Sequence, residues 1–157
     1  MQKSGFTNLS EFLSGWNSNE KYFEMLGLMA RLSKLFSEND VPYLDYRLTE
    51  NLFCKYYNAI NDARSCTAYD ARFTSLGVGI KTFILNNNAS TEKIAEFNKL
   101  RPQLEGLKGE KLAYKLAEFR NECMRFADDT YYVCESLYHI IGRCSGLLRV
   151  FNVPYER

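Results

Sequence analysis

The chain has 157 residues, with 20 Lys and Arg against 19 Asp and Glu, and its formal net charge is +1. This balance excludes a protein that binds polyanions through net charge alone, so any contact with nucleic acid must be a local patch. Because 46% of the residues are hydrophobic and 15% are aromatic, the composition also excludes a disordered chain and favours one folded core.

The first half of the chain has the apolar periodicity of helices. Residues 19–37 carry two neighbouring apolar stripes, which predicts a long helix that stops before Pro42. A second helix is predicted from Thr49 to Asn61. In that helix Thr49 is the expected cap, and Glu50 lies in the first turn, where the helix dipole favours a carboxylate.

The periodicity changes in the middle of the chain. Two β-branched and aromatic runs, Ser65 to Arg72 and Leu76 to Leu85, are separated by a short turn and predict two paired strands. A short helix is predicted to start at Ser90 or Thr91 and to end before Pro102.

The second half begins with a longer predicted helix, from about Lys108 to Asp128. Its expected buried stripe is Leu112, Leu116, Phe119, Cys123 and Phe126. The final segment has two apolar runs separated by Cys-Ser-Gly, which predicts a β-hairpin that ends near Pro154.

The order helix, helix, strand, strand, helix, strand, strand predicts a mixed α+β fold, with helices packed against one mixed sheet. We expect a single compact domain in which residues 1–40 form an N-terminal helical extension and residues 41–157 form the core. The sequence ends in VPYER directly after a predicted strand, which is compatible with a domain from a longer protein.

Membrane insertion and metal binding by histidine or cysteine are not indicated. The sequence has no apolar run long enough to span a bilayer and no signal-peptide region. Its five cysteines form no metal-ligand spacing, and His139 is the single histidine, which excludes zinc sites that need two imidazoles. We interpret the cysteines as reduced, mostly buried thiols of a cytoplasmic protein.

The most informative stretch is AYDARFTSLGVGIKTFI, at residues 68–84. Because side chains alternate across a strand, Asp70 on the first strand and Lys81 on the second can meet on one side of the hairpin. A lysine among apolar strand residues is costly to bury unless a partner or an anionic ligand accepts its charge. The alternative is an ordinary cross-strand ion pair on a solvated face, worth about 0–1 kcal/mol.

These residues resemble the restriction-endonuclease-like superfamily, the PD-(D/E)xK nucleases, and in particular type II restriction enzymes. The superfamily pattern is a glutamate on an early helix, an aspartate at the end of one strand and an acid-x-lysine triplet on the next, followed by a helix and another strand. Here Glu50, Asp70 and Gly79-Ile80-Lys81 stand in that order. The sequence departs from the pattern at Gly79, where the second acid is expected.

The resemblance, which spans residues 45–150, implies a Mg²⁺-dependent endodeoxyribonuclease that hydrolyses phosphodiester bonds of duplex DNA, with Mn²⁺ as an alternative cation. It implies that Asp70, Glu50 and the main-chain carbonyl of Ile80 hold the cation and that Lys81 stabilises negative charge. The candidates for phosphate contacts are Lys93, Lys99, Arg101, Arg120 and Arg125. By analogy, a homodimer with residues 19–37 as candidate interface would place two sites on one duplex.

Two other functions remain open at this point. Gly79 is compatible with a nuclease-like domain that binds DNA or supports assembly without cutting. A protein-interaction module, in which Asp70 and Lys81 form an incidental pair, is the second alternative. His139 lies in an apolar predicted strand and is interpreted as a core imidazole rather than a general base.

Overall fold

The computed structural model describes residues 5–62, 68–85 and 100–155. The helices, in chain order, are α1 (Leu9–Gly15), α2 (Glu20–Leu32), α3 (Tyr46–Tyr57), α4 (Arg101–Leu104) and α5 (Gly109–Tyr131). The strands are β1 (Ile60–Asn61), β2 (Ala71–Arg72), β3 (Leu76–Ile84), β4 (Glu135–Cys144) and β5 (Leu147–Pro154). The predicted mixed α+β class is therefore confirmed.

The five strands form one mixed sheet in the order β1-β2-β3-β4-β5. Neighbouring strands are antiparallel except β3 and β4, which are parallel and pair from Leu76 opposite Glu135 to Ile84 opposite Arg143. A parallel pair needs a long crossover, and the segment between these two strands contains α4 and α5. The predicted hairpin at the end of the chain is present as β4 and β5.

The main core lies between the N-terminal helices and the central strands. Its largest buried side chains include Phe12 of α1, Tyr22 of α2, Phe53 of α3, Val78 of β3 and Leu137 of β4. Fully burying a side chain of this size contributes about 1.5–3 kcal/mol. The helices of the expected N-terminal extension thus share one hydrophobic cluster with the strands of the expected core.

Helix α2 follows the prediction closely. Asn19 caps it by accepting a hydrogen bond from the Tyr22 N–H, and a 3₁₀ turn from Ser33 to Leu35 extends its C-terminal end. One of its apolar stripes, with Tyr22 and Leu26, is buried in the core. Leu35 and Phe36, which follow the helix, are 78% and 74% exposed.

The predicted start of the next helix is wrong. Helix α3 begins at Tyr46, and its cap is Asp45, whose side chain accepts from the N–H groups of Arg47 and Leu48. Thr49 lies inside the helix, where its hydroxyl donates to the Tyr46 carbonyl at 2.8 Å. Asp is as good a cap as Thr, and nothing in the residues between them opposes a helix, so the earlier cap takes precedence.

The strands next to α3 are shorter than the sequence suggests. Strand β2 contains only Ala71 and Arg72, and residues 65–67 of the predicted strand lie outside the described residues. The predicted end of the second helix at Asn61 is also wrong, because Asn58 ends α3 after Tyr57 in the left-handed conformation and Ile60–Asn61 form strand β1. The prediction for β3 is confirmed to within one residue.

The crossover segment corrects two further predictions. Most of the helix predicted from Ser90 falls within residues 86–99, outside the described ranges, and Pro102 lies in the first turn of α4 rather than after a helix. Helix α5 confirms the helix predicted from Lys108, but its buried residues are Phe119, Met124 and Ala127. Phe126 and Cys123 of the predicted stripe are exposed. Ala127 packs against Tyr69, and this small side chain lets the ring approach the helix.

The prediction of mostly buried cysteines is wrong for the described residues. Cys54 is buried, Cys144 is half-buried, and Cys123 and Cys134 are exposed, all four as free thiols. Within residues 5–62, 68–85 and 100–155, no helix combines the length and the apolar character that crossing a bilayer requires.

Candidate active site

The predicted meeting of Asp70 and Lys81 is confirmed. Asp70 lies one residue before β2, and its N–H donates to the Val78 carbonyl of β3 at 3.0 Å. Its Oδ2 atom accepts two hydrogen bonds, from the Ile80 N–H at 2.7 Å and from the Lys81 Nζ at 3.0 Å. The carboxylate is therefore held by main chain and side chain of the same strand.

This ion pair is intermediate between a solvated surface pair and a buried one. The side chains of Lys81 and Asp70 are 25% and 20% exposed. A charge-assisted bond from a main-chain N–H is fixed by the sheet and costs no side-chain entropy on the donor side. Asp70 is thus more rigidly placed than the carboxylate of a typical surface pair.

Glu50 is the second carboxylate at this end of the sheet. It is 4% exposed on α3, and its Oε2 accepts from Arg47 Nη1 at 3.1 Å. Burial raises the pKa of Glu50, and the negative charge of Asp70 raises it further, whereas Arg47 and Lys81 lower it. Glu50, Asp70 and Lys81 thus lie close enough to influence one another electrostatically.

The position of Glu50 in its helix removes the ordinary explanation for an acid there. Because α3 begins at Tyr46, Glu50 lies in the second turn rather than in the first. The stabilising effect of a helix dipole on a carboxylate falls off within the first turn. A nearly buried carboxylate whose ionisation is disfavoured by a neighbouring carboxylate is instead typical of functional sites.

Arg47 belongs to the same site and was not singled out from the sequence. Its side chain is 42% exposed and reaches Glu50 from the preceding turn of α3. The spacing of three residues on one helix is a signal that could have found it. The site therefore combines two carboxylates with two cationic side chains, which leaves no formal net charge.

Gly79 lies beside Asp70, where the superfamily pattern expects an acid. Ala71, the residue after Asp70, pairs with Val78, and the Asp70 carboxylate accepts from the N–H of Ile80, the residue after Gly79. An ideal Cβ on Gly79 would lie 2.6 Å from the Tyr155 hydroxyl oxygen and 3.1 Å from the Tyr138 ring. Aromatic side chains from β4 and from the residue after β5 fill this position.

A cysteine nucleophile at this site is disfavoured. Cys54 lies one turn after Glu50 on α3 and is buried. Burial raises the pKa of the Cys54 thiol to about 12, with further contributions from the charges on Glu50, Asp62 and Asp70. At neutral pH this thiol is protonated and therefore a poor nucleophile.

The carboxylates of Glu50 and Asp70 are the candidate ligands for a metal ion at this site. Among the residues that the structure describes, no cluster of three or more His, Cys, Asp or Glu side chains is arranged to hold a metal ion. Glu50 and Asp70 provide two carboxylates, and Mg²⁺ is commonly bound by one or two carboxylates together with phosphate oxygens and water. In number and type, the two carboxylates match a Mg²⁺ site that a phosphate completes, and they are too few to enclose a cation with protein ligands alone. The contribution of the Ile80 carbonyl stays a prediction.

The cations proposed to contact phosphate are only partly described. Lys93 and Lys99 lie outside the described residues. Arg101 of α4 and Arg125 of α5 are exposed, and Arg120 donates to Asn121 Oδ1 on the same helix at 3.3 Å. Their contacts with a nucleic acid stay predictions.

His139 and Arg143 have structural partners. His139 is fully buried, between the Tyr22 hydroxyl at 2.9 Å from Nε2 and Asn152 Oδ1 at 2.8 Å from Nδ1. Burial lowers the pKa of His139 to about 4, and the hydrogen bond that Nδ1–H donates to Asn152 Oδ1 opposes this shift. Arg143 Nη1 donates to the Pro42 carbonyl at 2.9 Å. The structure therefore supports the interpretation of His139 as a core imidazole.

Comparison with known proteins adds no relative to this description. No protein-family model, no curated protein and no solved structure matches the chain. The functional argument therefore depends on the geometry of Glu50, Asp70 and Lys81 and on the resemblance of their pattern.

Proposed function

We propose that this protein is a metal-dependent endodeoxyribonuclease, similar to type II restriction enzymes, that hydrolyses phosphodiester bonds of duplex DNA in the cytoplasm. The observation that carries the proposal is the ion pair between Asp70 and Lys81, together with a buried carboxylate, Glu50, that the charges of both residues influence. Asp70 Oδ2 binds Lys81 Nζ at 3.0 Å, and the pKa of Glu50 responds to the charges of both residues. The resemblance requires these residue types to come together.

The order of the elements also supports the proposal. The glutamate is on a helix before the sheet, α3, and the aspartate lies one residue before β2, whereas the pattern has it at the end of a strand. Lys81 is in the long central strand β3, and α5 and the parallel strand β4 follow. The superfamily pattern has the same sequence of elements. A restriction-endonuclease-like fold is accordingly part of the proposal.

In the proposed mechanism each side chain has a distinct task. Glu50 and Asp70 would hold Mg²⁺, which when bound supplies positive charge to the scissile phosphate and to the attacking water. Lys81 would stabilise the negative charge that develops on the phosphate as the water oxygen bonds to phosphorus and the sugar oxygen leaves. Arg47, 3.1 Å from Glu50, would keep that carboxylate ionised and oriented.

A cleavage assay on linear duplex DNA of mixed sequence, with 10 mM Mg²⁺ or Mn²⁺, tests the proposal. We expect Asp70→Asn, Glu50→Gln and Lys81→Met each to reduce cleavage by about 100-fold or more, as loss of a group that stabilises the transition state does. Lys115→Met is the matched control, because Lys115 forms a comparable 2.7 Å pair with Glu118 on α5. Cleavage by the three site variants at the rate of this control would contradict the mechanism.

The second candidate function is a nuclease-like domain that binds DNA without cutting it. It is favoured by Gly79 and by the two carboxylates, one fewer than the superfamily pattern provides. This candidate predicts no cleavage with either cation, together with DNA affinity that falls steeply as salt rises. The protein-interaction module predicts negligible DNA affinity even at low salt, so one salt titration separates the two.

A homodimer is part of the proposal as well. The exposed apolar residues at and after the end of α2 are Leu28, Leu32, Leu35 and Phe36. They support residues 19–37 as the candidate interface, because the opposite stripe of α2 is already buried in the core. Light scattering of the purified protein would test this, and a dimer that persists in Leu35→Asp would exclude this interface.

A further inference from the structure

The tyrosine at the end of the described chain lies in the position that an acid would occupy. The Tyr155 N–H donates to the Ser136 carbonyl at 3.0 Å, which fixes this residue beside the start of β4. Its ring lies 4.0 Å from the Tyr138 ring, measured between centroids. Its hydroxyl oxygen is 2.6 Å from the point where a Cβ on Gly79 would be.

This arrangement explains why position 79 is glycine. A Cβ less than 3.0 Å from another heavy atom forces something to move, and the Tyr155 ring is held by Tyr138 and by Tyr69 at 5.9 Å. The present position of the Tyr155 hydroxyl therefore depends on the absence of a Cβ at position 79. An acid at position 79 would therefore require the Tyr155 hydroxyl to move out of its present position.

The Tyr155 hydroxyl is a neutral group that can donate a hydrogen bond at this position. Burial raises its pKa far above the ordinary value of a phenol, and Tyr138 and the negative charge of Asp70 raise it further. A phenol is protonated at neutral pH even at its ordinary pKa of about 10, so this hydroxyl carries a proton that it can donate. A hydroxyl donor beside Gly79, within the electrostatic influence of Asp70, is suited to a phosphate oxygen.

We propose that the Tyr155 hydroxyl takes the place of the second acid of the nuclease pattern, as a neutral donor, and that the site consequently binds a divalent cation strongly only together with a phosphodiester. The inference rests on the proposed function in one respect, which is that Glu50 and Asp70 hold the cation. An aspartate or glutamate at position 79 would make the site net negative. With tyrosine there, the phosphate must supply the missing negative charge and oxygen ligands.

A double-mutant cycle tests the steric part without any ligand. We expect Gly79→Ala to lower the melting temperature by about 5 °C, as overpacking of a filled site does. In a Tyr155→Ala background the same substitution should cost less than half of that. An equal cost in both backgrounds would overturn the proposed dependence of Gly79 on Tyr155.

Calorimetric titration with Mn²⁺ tests the electrostatic part. The wild-type protein should bind Mn²⁺ at least tenfold more tightly in the presence of a short duplex with cleavage-resistant phosphorothioate linkages. Gly79→Asp combined with Tyr155→Ala should bind Mn²⁺ alone at least tenfold more tightly than Tyr155→Ala. Tyr155→Phe should leave the affinity for Mn²⁺ alone within twofold but weaken binding in the presence of the duplex about three- to tenfold.

The results distinguish this inference from the proposed nuclease activity, because neither measurement reads cleavage. A wild-type protein that cuts DNA, with Mn²⁺ affinities that do not respond to the added aspartate, would overturn the role of Tyr155 and leave the nuclease proposal intact. A protein that cuts no DNA but shows both the stability coupling and the tenfold gain would refute the nuclease activity and support the replacement of the acid by Tyr155.

Discussion

Glu50→Gln should make the folded protein more stable at neutral pH while it removes activity. The folded state disfavours ionised Glu50, because burial and then the charge of Asp70 raise its pKa. Replacing the carboxylate with an amide of the same shape removes this penalty, and a stabilising substitution of a single residue commonly gains about 0.5–2 kcal/mol. It also removes the pair with Arg47, whose side chain is 42% exposed, at a loss of about 0.5 kcal/mol. The net gain is about 1 kcal/mol, or an increase of about 3 °C in melting temperature for a chain of this size.

The pH dependence of stability follows from the same raised pKa of Glu50. A carboxyl group whose pKa is higher in the folded state than its usual value of 4.5 binds protons more tightly when folded, so its ionisation lowers stability as the pH rises above 4.5. The variant should therefore exceed the wild type in stability at pH 7, and the difference should vanish as the pH falls to about 4, where the carboxyl is neutral in both states.

Thermal or urea unfolding of both proteins at pH 7 and pH 4 measures this difference directly. Addition of Mg²⁺ with a cleavage-resistant duplex should raise the melting temperature of the wild type more than that of Glu50→Gln. A variant that is less stable than the wild type by 1 kcal/mol or more at pH 7 would refute the reasoning. Glu50 would then be a satisfied structural carboxylate.

Three further predictions concern the scaffold. The free energy of unfolding should fall by up to about 3 kcal/mol between pH 6.5 and about 4, because burial lowers the pKa of His139 to about 4 in the folded state. In His139→Gln, the free energy of unfolding measured with urea should change less over this pH range. Asp45→Ala should lower the free energy of unfolding by about 1 kcal/mol in chemical denaturation, because it removes the cap of α3. The control Asp40→Ala, in the exposed segment before that helix, should lower it by less than about 0.5 kcal/mol. Tyr22→Phe should cost about 1–2 kcal/mol, because a buried nitrogen of His139 loses its 2.9 Å partner, and an unchanged urea midpoint would contradict this.

The elements that the sequence predicts well are those with many residues in a regular pattern. Helices α2 and α5, the long strand β3 and the hairpin of β4 and β5 each extend over eight residues or more, so apolar periodicity identifies them. The start of α3 is less predictable, because Asp45 and Thr49 are both good caps and the residues between them are compatible with a helix that begins at either. Strands β1 and β2 have two residues each and exist because they pair with their neighbours.

The candidate site divides in the same way. The contact between Asp70 and Lys81 follows from strand alternation and a short turn, both of which are local properties. The approach of Glu50 depends on how α3 packs on the sheet, for which the sequence offers only the resemblance. The occupation of the Gly79 position by Tyr155 depends on the register of three strands, which no local pattern encodes. Long-range packing therefore decides whether Glu50 approaches Asp70 and whether Tyr155 fills the space beside Gly79.

The central claim is that Glu50 and Asp70 hold one divalent cation beside Lys81. Its most direct test is a crystal structure of the protein with Mn²⁺ and a cleavage-resistant duplex, with diffraction data collected at the manganese absorption edge. The account predicts one anomalous peak in contact with a carboxylate oxygen of Glu50, one of Asp70 and a phosphate oxygen. A duplex bound at this site with no peak between the two carboxylates, or with the Glu50 side chain turned away from Asp70, would contradict it.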